Sequence, residues 1–346
     1  MHKMEKLEEE ITRPTIAVSG ASGSIGQQLL KLWTGHAHMI ALSRNCSYQE
    51  KNEHIEWRSC DFYSLDDAER GLVGVDYAVY LIHSKLQSAR LTQGKFEDMD
   101  VILAVHFARA ALKNGVKQII YLSEFQPPHI SKIKLARHVQ SSLEIEHILG
   151  SYGIPVTTIR DGSISGSAVA SLPRLITETA KGLLEQEQTS DPKKLHLPPK
   201  SDVRSVQRFL LPAGKDASWA ASYYVSWLSS FVKPFLKVEL DDQSVGSVNM
   251  FLSRKPLLEL TYSHQKSTSD YAVYQITGGL FVNTKDSNCG RLEFLQIPGT
   301  QECVVAIHDF IPALPWFIYK NTQAIIHLAV MYAFKKHLLR LIQKGE

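Results

Sequence analysis

From Pro14 to about Gly166, short apolar runs rich in β-branched residues alternate with longer amphipathic stretches. Short apolar runs bounded by turn residues are typical of buried strands, and apolar residues every three or four positions are typical of helices. The pattern predicts strands at residues 15–19, 38–43, 55–58, 77–82, 118–123 and 156–160. It predicts helices at residues 25–33, after Ser64, and at 96–113 and 133–149. This alternation predicts an α/β domain with a doubly wound parallel sheet of the Rossmann type.

The rhythm changes after Leu184, where charged residues and prolines replace the apolar runs. Beyond this stretch, strand candidates follow one another at residues 203–211, 236–240, 247–253, 257–263, 271–277, 291–297 and 304–310. A helix is predicted at 216–232 and a long final helix at 316–343. Successive strands with short polar turns favour an antiparallel sheet. The second domain is therefore predicted to be α+β, with a curved antiparallel sheet gripping a C-terminal helix.

These patterns divide the 346 residues into four parts. Residues 1–13 form an N-terminal extension, and residues 14–190 the α/β domain of the Rossmann type. Residues 191–203 form a linker, and residues 204–346 the α+β domain. Each predicted domain is long enough to bury its own core.

Composition narrows the class of protein. The formal net charge is only +3, and the basic residues are scattered, which argues against a nucleic-acid partner. The four cysteines show no C-x-x-C spacing, so neither a metal site nor a disulfide framework is predicted. The charged first 13 residues do not resemble a signal peptide, and with reduced thiols this predicts a cytoplasmic protein.

Residues 313–334 are apolar enough to raise the question of a membrane span. Lys320, Asn321 and His327 interrupt the run, so an integral span is not predicted. Peripheral membrane contact through the final helix and its pair Lys335 and Lys336 stays open as an alternative. The oligomeric state is not predicted.

A glycine pattern lies directly after the first predicted strand and opens the first helix. Gly20 allows a tight turn, Gly23 lets the backbone approach a pyrophosphate, and Gly26 lets helix and strand pack closely. Backbone N–H groups at the start of a helix bind phosphate. The cofactor-binding residues predicted here are Gly20, Ser22, Gly23, Ser24, Ile25 and Gly26.

The end of the second strand distinguishes NADP from NAD. An acidic residue there would bind the ribose hydroxyls of NAD, but this chain has Ser43 and Arg44. An arginine binds a 2′-phosphate well, so NADP is the predicted cofactor and NAD the alternative.

Other strand ends provide further candidates, because ligands bind beyond the carboxyl ends of strands in open α/β sheets. Asp61 and Phe62 follow the third strand and are predicted to lie near the adenine. The fourth strand ends with Leu81 and Ile82 and is followed by His83 and Ser84, and these four residues are predicted to lie near the ribose and nicotinamide.

The glycine motif, Tyr121-Leu-Ser123 and the run from Thr158 through Arg160 to Gly162 resemble the atypical short-chain dehydrogenase/reductases. The NmrA-like and complex-I-subunit-like NAD(P)H-binding proteins are the most similar groups, and the resemblance covers about residues 14–184. It implies that Ser123 and Arg160 lie beside the cofactor. It also implies an NADP-dependent oxidoreductase acting on a small apolar carbonyl or enone.

The chain departs from that family at its catalytic pair, a tyrosine followed four residues later by a lysine that lowers the phenol pKa. Tyr121 is followed at that distance by Phe125, and Tyr152 by Val156. The remaining catalytic candidates are Ser123, His83 and a basic residue after the fifth strand. For the last role the resemblance favours Lys134, with Lys132 and His138 as alternatives. Loss of the pair leaves open a second hypothesis, a non-catalytic NADP(H)-binding redox sensor or scaffold.

The second domain resembles the START-like ligand-binding fold in four segments, at residues 205–208, 276–279, 291–294 and 307–310. This resemblance implies a cavity for a small molecule between sheet and helix. The aromatic residues predicted to line it or to pack in the core are Trp219, Tyr223, Tyr224, Trp227, Phe281, Trp316 and Tyr319.

Overall fold

The computed structural model describes residues 13–44, 46, 54–82, 84, 89–123, 132–160, 163–166, 200–231, 236–240, 245–250, 256–283 and 290–345. Within these ranges, side chains are not described at 132–135, 160, 163–166, 200–201, 236–240 and 245–250. The chain divides into two compact units. The N-terminal unit comprises Met1–Ser84 and Asp100–His196, and the C-terminal unit comprises Lys85–Met99 and Leu197–Glu346.

The N-terminal unit is built on a parallel sheet. Its described strands are β1 (Thr15–Ser19), β2 (His38–Ser43), β3 (Ile55–Ser59), β4 (Tyr77–Tyr80), β6 (Gln118–Leu122), β7 (Val156–Arg160) and β8 (Ser163–Gly166). Among these residues the strand order is β3-β2-β1-β4-β6-β7-β8. All pairings are parallel except that of β8 with β7.

Helices cover both faces of this sheet. They are α1 (Ser24–Trp33), α2 (Leu65–Gly71), α3 (Phe96–Lys113) and α4 (Lys132–Gly150), and the first residues of α3 belong to the C-terminal unit. Leu29 and Trp33 of α1 pack in one core with β1, β2 and β4. On the other face, the ring of Phe107 from α3 lies 4.9 Å from that of Tyr80. The predicted doubly wound Rossmann-type sheet is confirmed.

The C-terminal unit is built on a mixed sheet. Its described strands are β5 (Ala89–Gln93), β9 (Lys200–Leu210), β10 (Leu236–Leu240), β11 (Val245–Met250), β12 (Pro256–Tyr262), β13 (Tyr271–Gly278), β14 (Gly290–Gln296) and β15 (Glu302–Phe310). The order among them is β10-β11-β12-β13-β14-β15-β9-β5. Neighbours pair antiparallel, except that β5 joins β9 in parallel. The antiparallel arrangement predicted for strands β9 to β15 is therefore confirmed.

Three helices accompany this sheet: α5 (Ala217–Phe231), α6 (Trp316–Asn321) and α7 (Gln323–Lys344). The predicted single final helix is in fact two, separated at Thr322, whose φ of −128° and ψ of −81° are not helical. Helices α5 and α7 pack on one face of the sheet and share a core with β9 and β12 to β15.

Aromatic side chains fill the space between α5 and α7. The ring of Trp219 stacks on Tyr223 at 4.6 Å, and Tyr224 and Trp227 each lie 5.0 Å from Phe334 of α7. Several aromatic residues predicted either to line a cavity or to pack in the core therefore contact other aromatic side chains. Such contacts stabilise a core through apolar burial and ring geometry.

Candidate functional site

The glycine loop joins β1 to α1 in a tight turn. Gly20 has a φ of 69°, a left-handed conformation that glycine adopts without strain. The N–H of Gly23 donates to the carbonyl of Gly20 at 2.9 Å, and Gly23 then serves as the N-cap of α1. One short loop therefore joins the end of β1 at Ser19 to the first turn of α1 at Ser24.

Gly26 has no room for a side chain. A Cβ atom there would lie 2.6 Å from the carbonyl oxygen of Gly20 and 2.7 Å from the Cα of Ala21. Both are backbone atoms, so a larger residue would push α1 away from β1. The close packing of helix on loop therefore depends on glycine at this position.

The start of α1 is open to a ligand. Gly23 and Ser24 are exposed, and no side chain caps the first turn of the helix. An uncapped helix start presents N–H groups and the positive end of the helix dipole, a combination that binds anions. Together with the glycine geometry, this arrangement fits the pyrophosphate of a dinucleotide.

Ser19 holds the ends of β1 and β4 together. Its buried Oγ donates to the carbonyl of Val79 at 2.8 Å and accepts from the N–H of Leu81 at 3.1 Å. This places Leu81 against the loop, because a Cβ added to Gly20 would lie 3.2 Å from the Leu81 carbonyl oxygen. Ile82 follows in the same half-buried stretch.

The end of β2 lies on the other side of the loop. Ser43 is buried, and its Oγ donates to the Oγ of Ser22 at 3.3 Å. The next residue, Arg44, is half-buried and forms no hydrogen bond or ion pair with another described residue. An arginine at the end of the strand next to the glycine loop is the residue type that suits a second phosphate group.

The residues after β3 are held within the fold. The carboxylate of Asp61 accepts the N–H of Tyr63 at 3.2 Å. Phe62 is buried, with its ring 5.4 Å from Phe107. Their predicted proximity to an adenine stays a prediction.

A cluster of hydroxyl groups lies at the end of β6. The Oγ atoms of Ser123 and Ser142 are 2.8 Å apart, and the hydroxyl of Tyr121 donates to Ser142 Oγ at 3.3 Å. All three residues are buried. Ser123 is thus positioned at a strand end, with its hydroxyl already hydrogen-bonded to that of Ser142. Burial, with Asp100 nearby, raises the pKa of Tyr80, whose ring lies 5.7 Å from Tyr121.

Ser142 is the residue at this site that the sequence patterns do not single out. It lies in the middle of α4, three residues before the buried Ile145. One sequence signal could have identified Ser142: it lies on the buried face of an amphipathic helix, and a buried hydroxyl needs a hydrogen-bond partner.

Other predicted site residues are described only in part or not at all. His83 lies outside the described residues. Lys134 lies in the first turn of α4 and Arg160 ends β7, but neither side chain is described. His138 is half-buried on α4. Ser84 is buried, and its N–H donates to the Asp100 carboxylate at 2.7 Å.

The C-terminal unit contains a buried network of charged side chains on β9, β14 and β15. Arg291 donates from Nε to Glu293 at 2.9 Å and pairs through NH1 with Asp309 at 2.8 Å. His308 Nδ1 accepts from Arg204 Nε at 3.2 Å, and its Nε2 lies 3.8 Å from Glu293 Oε2. Glu293 and His308 are fully buried. The network pairs opposite charges within one sheet, as buried charges require.

Three further features bear on function. Among the described residues, no group of three or more metal-ligating side chains has the arrangement of a metal site. The described helices include none with the length and apolar character of a membrane span. Cys46, Cys60 and Cys303 are free thiols, and burial raises the pKa of the Cys60 and Cys303 thiols.

Comparison with known proteins gives one curated relative along most of the chain. It is described as auxiliary protein GraX of Staphylococcus aureus and is 24% identical over 325 residues, which cover 93% of this chain and 92% of that protein.

Two solved structures illustrate the similarity to known folds. The triphenylmethane reductase of Citrobacter sp., complexed with NADP(H), is 22% identical with a TM-score of 0.33, covering 42% of this chain and 48% of that one. The Bordetella bronchiseptica enzyme WbmG, in complex with NAD, is 14% identical with a TM-score of 0.35, covering 43% of this chain and 53% of that one. The chain spans about half the length of each.

A family model described as NAD(P)H-binding matches residues 20–179. The match begins at the first glycine of the loop and extends past β8. Residues 20–179 therefore form an NAD(P)H-binding domain.

Proposed function

We propose that this protein binds NADP(H) and acts as a cofactor-responsive auxiliary protein, a sensor or scaffold that reads the nucleotide without consuming it. The observation that carries the proposal is a contrast at the carboxyl end of one sheet. The start of α1 is open for a phosphate, whereas the hydroxyls of Ser123, Ser142 and Tyr121 are hydrogen-bonded to one another.

The preference for NADP rests on Arg44. Arg44 follows directly on Ser43, which is hydrogen-bonded to Ser22 of the glycine loop, and no described residue pairs with its guanidinium. The 2′-phosphate of NADP supplies the anion that such a guanidinium binds. NAD, which lacks that phosphate, is the alternative cofactor.

We infer the absence of turnover from the lack of a good proton donor among the described residues at the end of β6. Bound NADPH supplies a hydride, so reduction of a carbonyl also needs an acid beside the substrate oxygen. Ser123 can orient a carbonyl, but a serine hydroxyl is a weak acid. The raised pKa of Tyr80 makes that phenol a poor donor near neutral pH. The name of the curated relative, an auxiliary protein, agrees with a supporting role.

A second candidate is an NADP-dependent oxidoreductase acting on a small apolar carbonyl or enone. It is favoured by the position of Ser123 at the carboxyl end of a central strand, where substrates lie in this fold class. In that mechanism Lys134 or His83 would supply the proton and Ser123 would orient the carbonyl. Arg160, at the end of β7, would contact the cofactor.

For the C-terminal unit we propose a START-like domain that acts as a scaffold. Support comes from the order of its elements, an antiparallel sheet packed against a long final helix. The scaffold role is supported by the aromatic rings of Tyr224 and Trp227, which pack against Phe334 of α7. We place the protein in the cytoplasm, where free thiols such as those of Cys60 and Cys303 persist.

Calorimetry with NADPH and with NADP⁺ tests the sensor, because a ligand changes a conformation only through its differential affinity for two states. We expect the two affinities to differ by about five-fold or more, with a matching difference in protease sensitivity. Equal affinities with identical cleavage patterns would refute sensing. Gly26→Ala, designed to lose cofactor binding, is the negative control in both measurements.

Absorbance at the nicotinamide band distinguishes the second candidate. The purified protein is incubated with NADPH and a panel of carbonyls, enones and quinones. Steady consumption above the rate of Gly26→Ala would establish an oxidoreductase and remove the non-catalytic proposal. If there is turnover, Ser123→Ala will lower kcat more than it raises KM.

A further inference from the structure

The last helix, α7, has one face buried in the protein core and one face exposed to solvent. Ala324, Met331, Phe334 and Leu338 are buried in the core of the C-terminal unit. His337, next to Leu338 and half-buried, shares a hydrogen bond of 2.8 Å between its Nε2 and the hydroxyl of Tyr223 on α5. These contacts fix the helix on the sheet, so its opposite face is not needed for folding.

That opposite face is apolar in its first three turns. Ile325 is 56% exposed, Ile326 61% and Tyr332 60%, and Leu328 is also exposed. The preceding helix α6 adds Phe317, which is 81% exposed, and Ile318. We call these six side chains the apolar surface of α6 and α7. Monomeric proteins seldom expose this many large apolar groups on consecutive turns without a binding function.

The charged side chains that α6 and α7 themselves contain are all of one sign. Residues 316–345 contain five basic residues, namely Lys320, Lys335, Lys336, Arg340 and Lys344, and no aspartate or glutamate. Lys336 and Arg340 follow the apolar turns on the same outward face. The Nζ of Lys336 lies 4.8 Å from the centroid of the Tyr332 ring, which brings cationic and apolar groups into contact.

We propose that the apolar surface of α6 and α7, with its basic residues, binds the surface of an anionic lipid bilayer, and that α7 lies in the plane of the interface. An interfacial helix combines an apolar face with lysines and arginines that attract anionic headgroups. The two helices supply five basic residues and no acidic one, so a uniformly anionic surface complements their charge. No described helix is able to span a bilayer, which agrees with binding parallel to the surface.

Vesicle co-sedimentation of the full-length protein tests the proposal. Vesicles of phosphatidylcholine alone are compared with vesicles that contain about one third phosphatidylglycerol. We expect binding to the mixed vesicles and at least about ten-fold weaker binding to the neutral ones, since each basic residue near an anionic surface adds to the attraction. Raising the salt concentration should weaken binding, because exposed charges are screened.

Two double variants separate the apolar and ionic contributions. Ile325→Gln with Ile326→Gln, and Lys336→Glu with Arg340→Glu, should each weaken binding to the mixed vesicles by at least about ten-fold. The matched controls are Leu32→Gln with Leu112→Gln, at apolar residues that are 51% and 54% exposed, and Lys31→Glu with Lys95→Glu. Controls should bind as the unchanged protein does. Thermal unfolding followed by circular dichroism confirms that each variant is folded.

Three outcomes would overturn the proposal. They are no binding to mixed vesicles at low salt, equal binding to neutral and mixed vesicles, or equal losses in the test and control variants. A further contrary result is a dimer in sedimentation velocity that Ile325→Gln with Ile326→Gln converts to monomer without an effect on vesicle binding. That result would assign the surface to a second copy of the chain. Cofactor affinity is expected to be unchanged in all variants, so this test is independent of the proposed function.

Discussion

The two units differ in whether their clustered polar groups have partners within the protein. In the N-terminal unit the N–H groups at the start of α1 have no side-chain cap, and the loop before them is shaped by glycine. In the C-terminal unit Arg291, Glu293 and His308 are paired with one another inside a sheet. Donors left open at a strand end provide a place for a ligand, whereas charges that neutralise each other contribute to one specific packing of strands. The difference distinguishes a candidate binding site in the N-terminal unit from a buried charge network that stabilises the C-terminal unit.

The largest effect on stability is expected from disrupting the buried charge network of the C-terminal unit. Glu293→Gln removes a fully buried carboxylate that accepts from Arg291 and lies 3.8 Å from His308, so that Arg291 keeps Asp309 as its carboxylate partner and half of its buried ion pairing is lost. We expect the free energy of unfolding to fall by about 3–5 kcal/mol. Urea unfolding measures the loss, and hydrogen exchange should place it in β14 and β15.

The control for this variant is Glu302→Gln, which alters a partly exposed carboxylate paired with Arg208. It should cost less than about 1 kcal/mol. Folded Glu293→Gln should retain the NADPH affinity of the unchanged protein. A large loss of affinity would show that the charge network of the C-terminal unit also contributes to NADPH binding, contrary to this difference between the two units.

The next largest effect is expected in the binding site. Gly26→Ala places a Cβ 2.6 Å from the Gly20 carbonyl oxygen, which displaces the start of α1 from the loop. We expect NADPH affinity to fall by about 100-fold or more and stability by about 1–3 kcal/mol. Gly35→Ala is the control, because a Cβ there meets no atom within 4 Å. Titration calorimetry on both variants would expose the prediction as wrong if their affinities agreed.

Arg44→Ala should produce a smaller and more selective loss. Removing a charge-assisted contact to the 2′-phosphate costs about 1.5–3 kcal/mol, which corresponds to about 10–100-fold in NADPH affinity. NADH affinity should change by less than about two-fold, since NADH has no such phosphate. Arg137→Ala, at an exposed arginine of α4, serves as the control. Equal losses for both nucleotides would contradict the assignment of Arg44.

The smallest effect concerns pH and the C-terminal unit. Burial lowers the pKa of His327 to about 4, below the value of about 6.5 for an unfolded histidine. Because the unfolded chain then binds the proton more tightly, stability is fully present above about pH 6.5. It is lost as the pH falls towards 4, by about 1–2 kcal/mol.

Replacing this histidine tests the assignment. His327→Leu should reduce the loss of stability between pH 6.5 and 4, whereas His36→Gln, at an exposed histidine, should retain it. Unfolding curves at several pH values provide the comparison. Identical pH profiles for the two variants would show that another group is responsible.

Much of the fold is predictable because its signals are local. The strands 15–19, 38–43 and 156–160 and the helix 96–113 were predicted with the bounds that the structure shows. Each combines an apolar pattern of the right period with turn residues at its ends. The glycine loop is predictable for the same reason, since seven consecutive residues contain the turn, the close approach and the helix start.

Features that depend on distant residues were not predicted. Strand β5 contains only five residues, most of them polar, and its register is set by β9 more than a hundred residues later. The hydrogen bond between Ser123 and Ser142 requires the packing of α4 beside β6. The pairing of Glu293 with His308 requires the register of β14 with β15. Sequence periodicity contains no information about any of these registers.

The parallel pairing of β5 with β9 determines how the chain can be divided. Because residues 85–99 belong to the C-terminal unit, the polypeptide enters that unit, returns to the first, and enters it again. A fragment beginning at residue 204 would lack β5 and leave the outer edge of β9 unpaired. Unpaired edges of this kind template aggregation. Expression of the second half alone is therefore expected to yield insoluble protein. During synthesis, β5 cannot pair with β9 until more than a hundred further residues have been made.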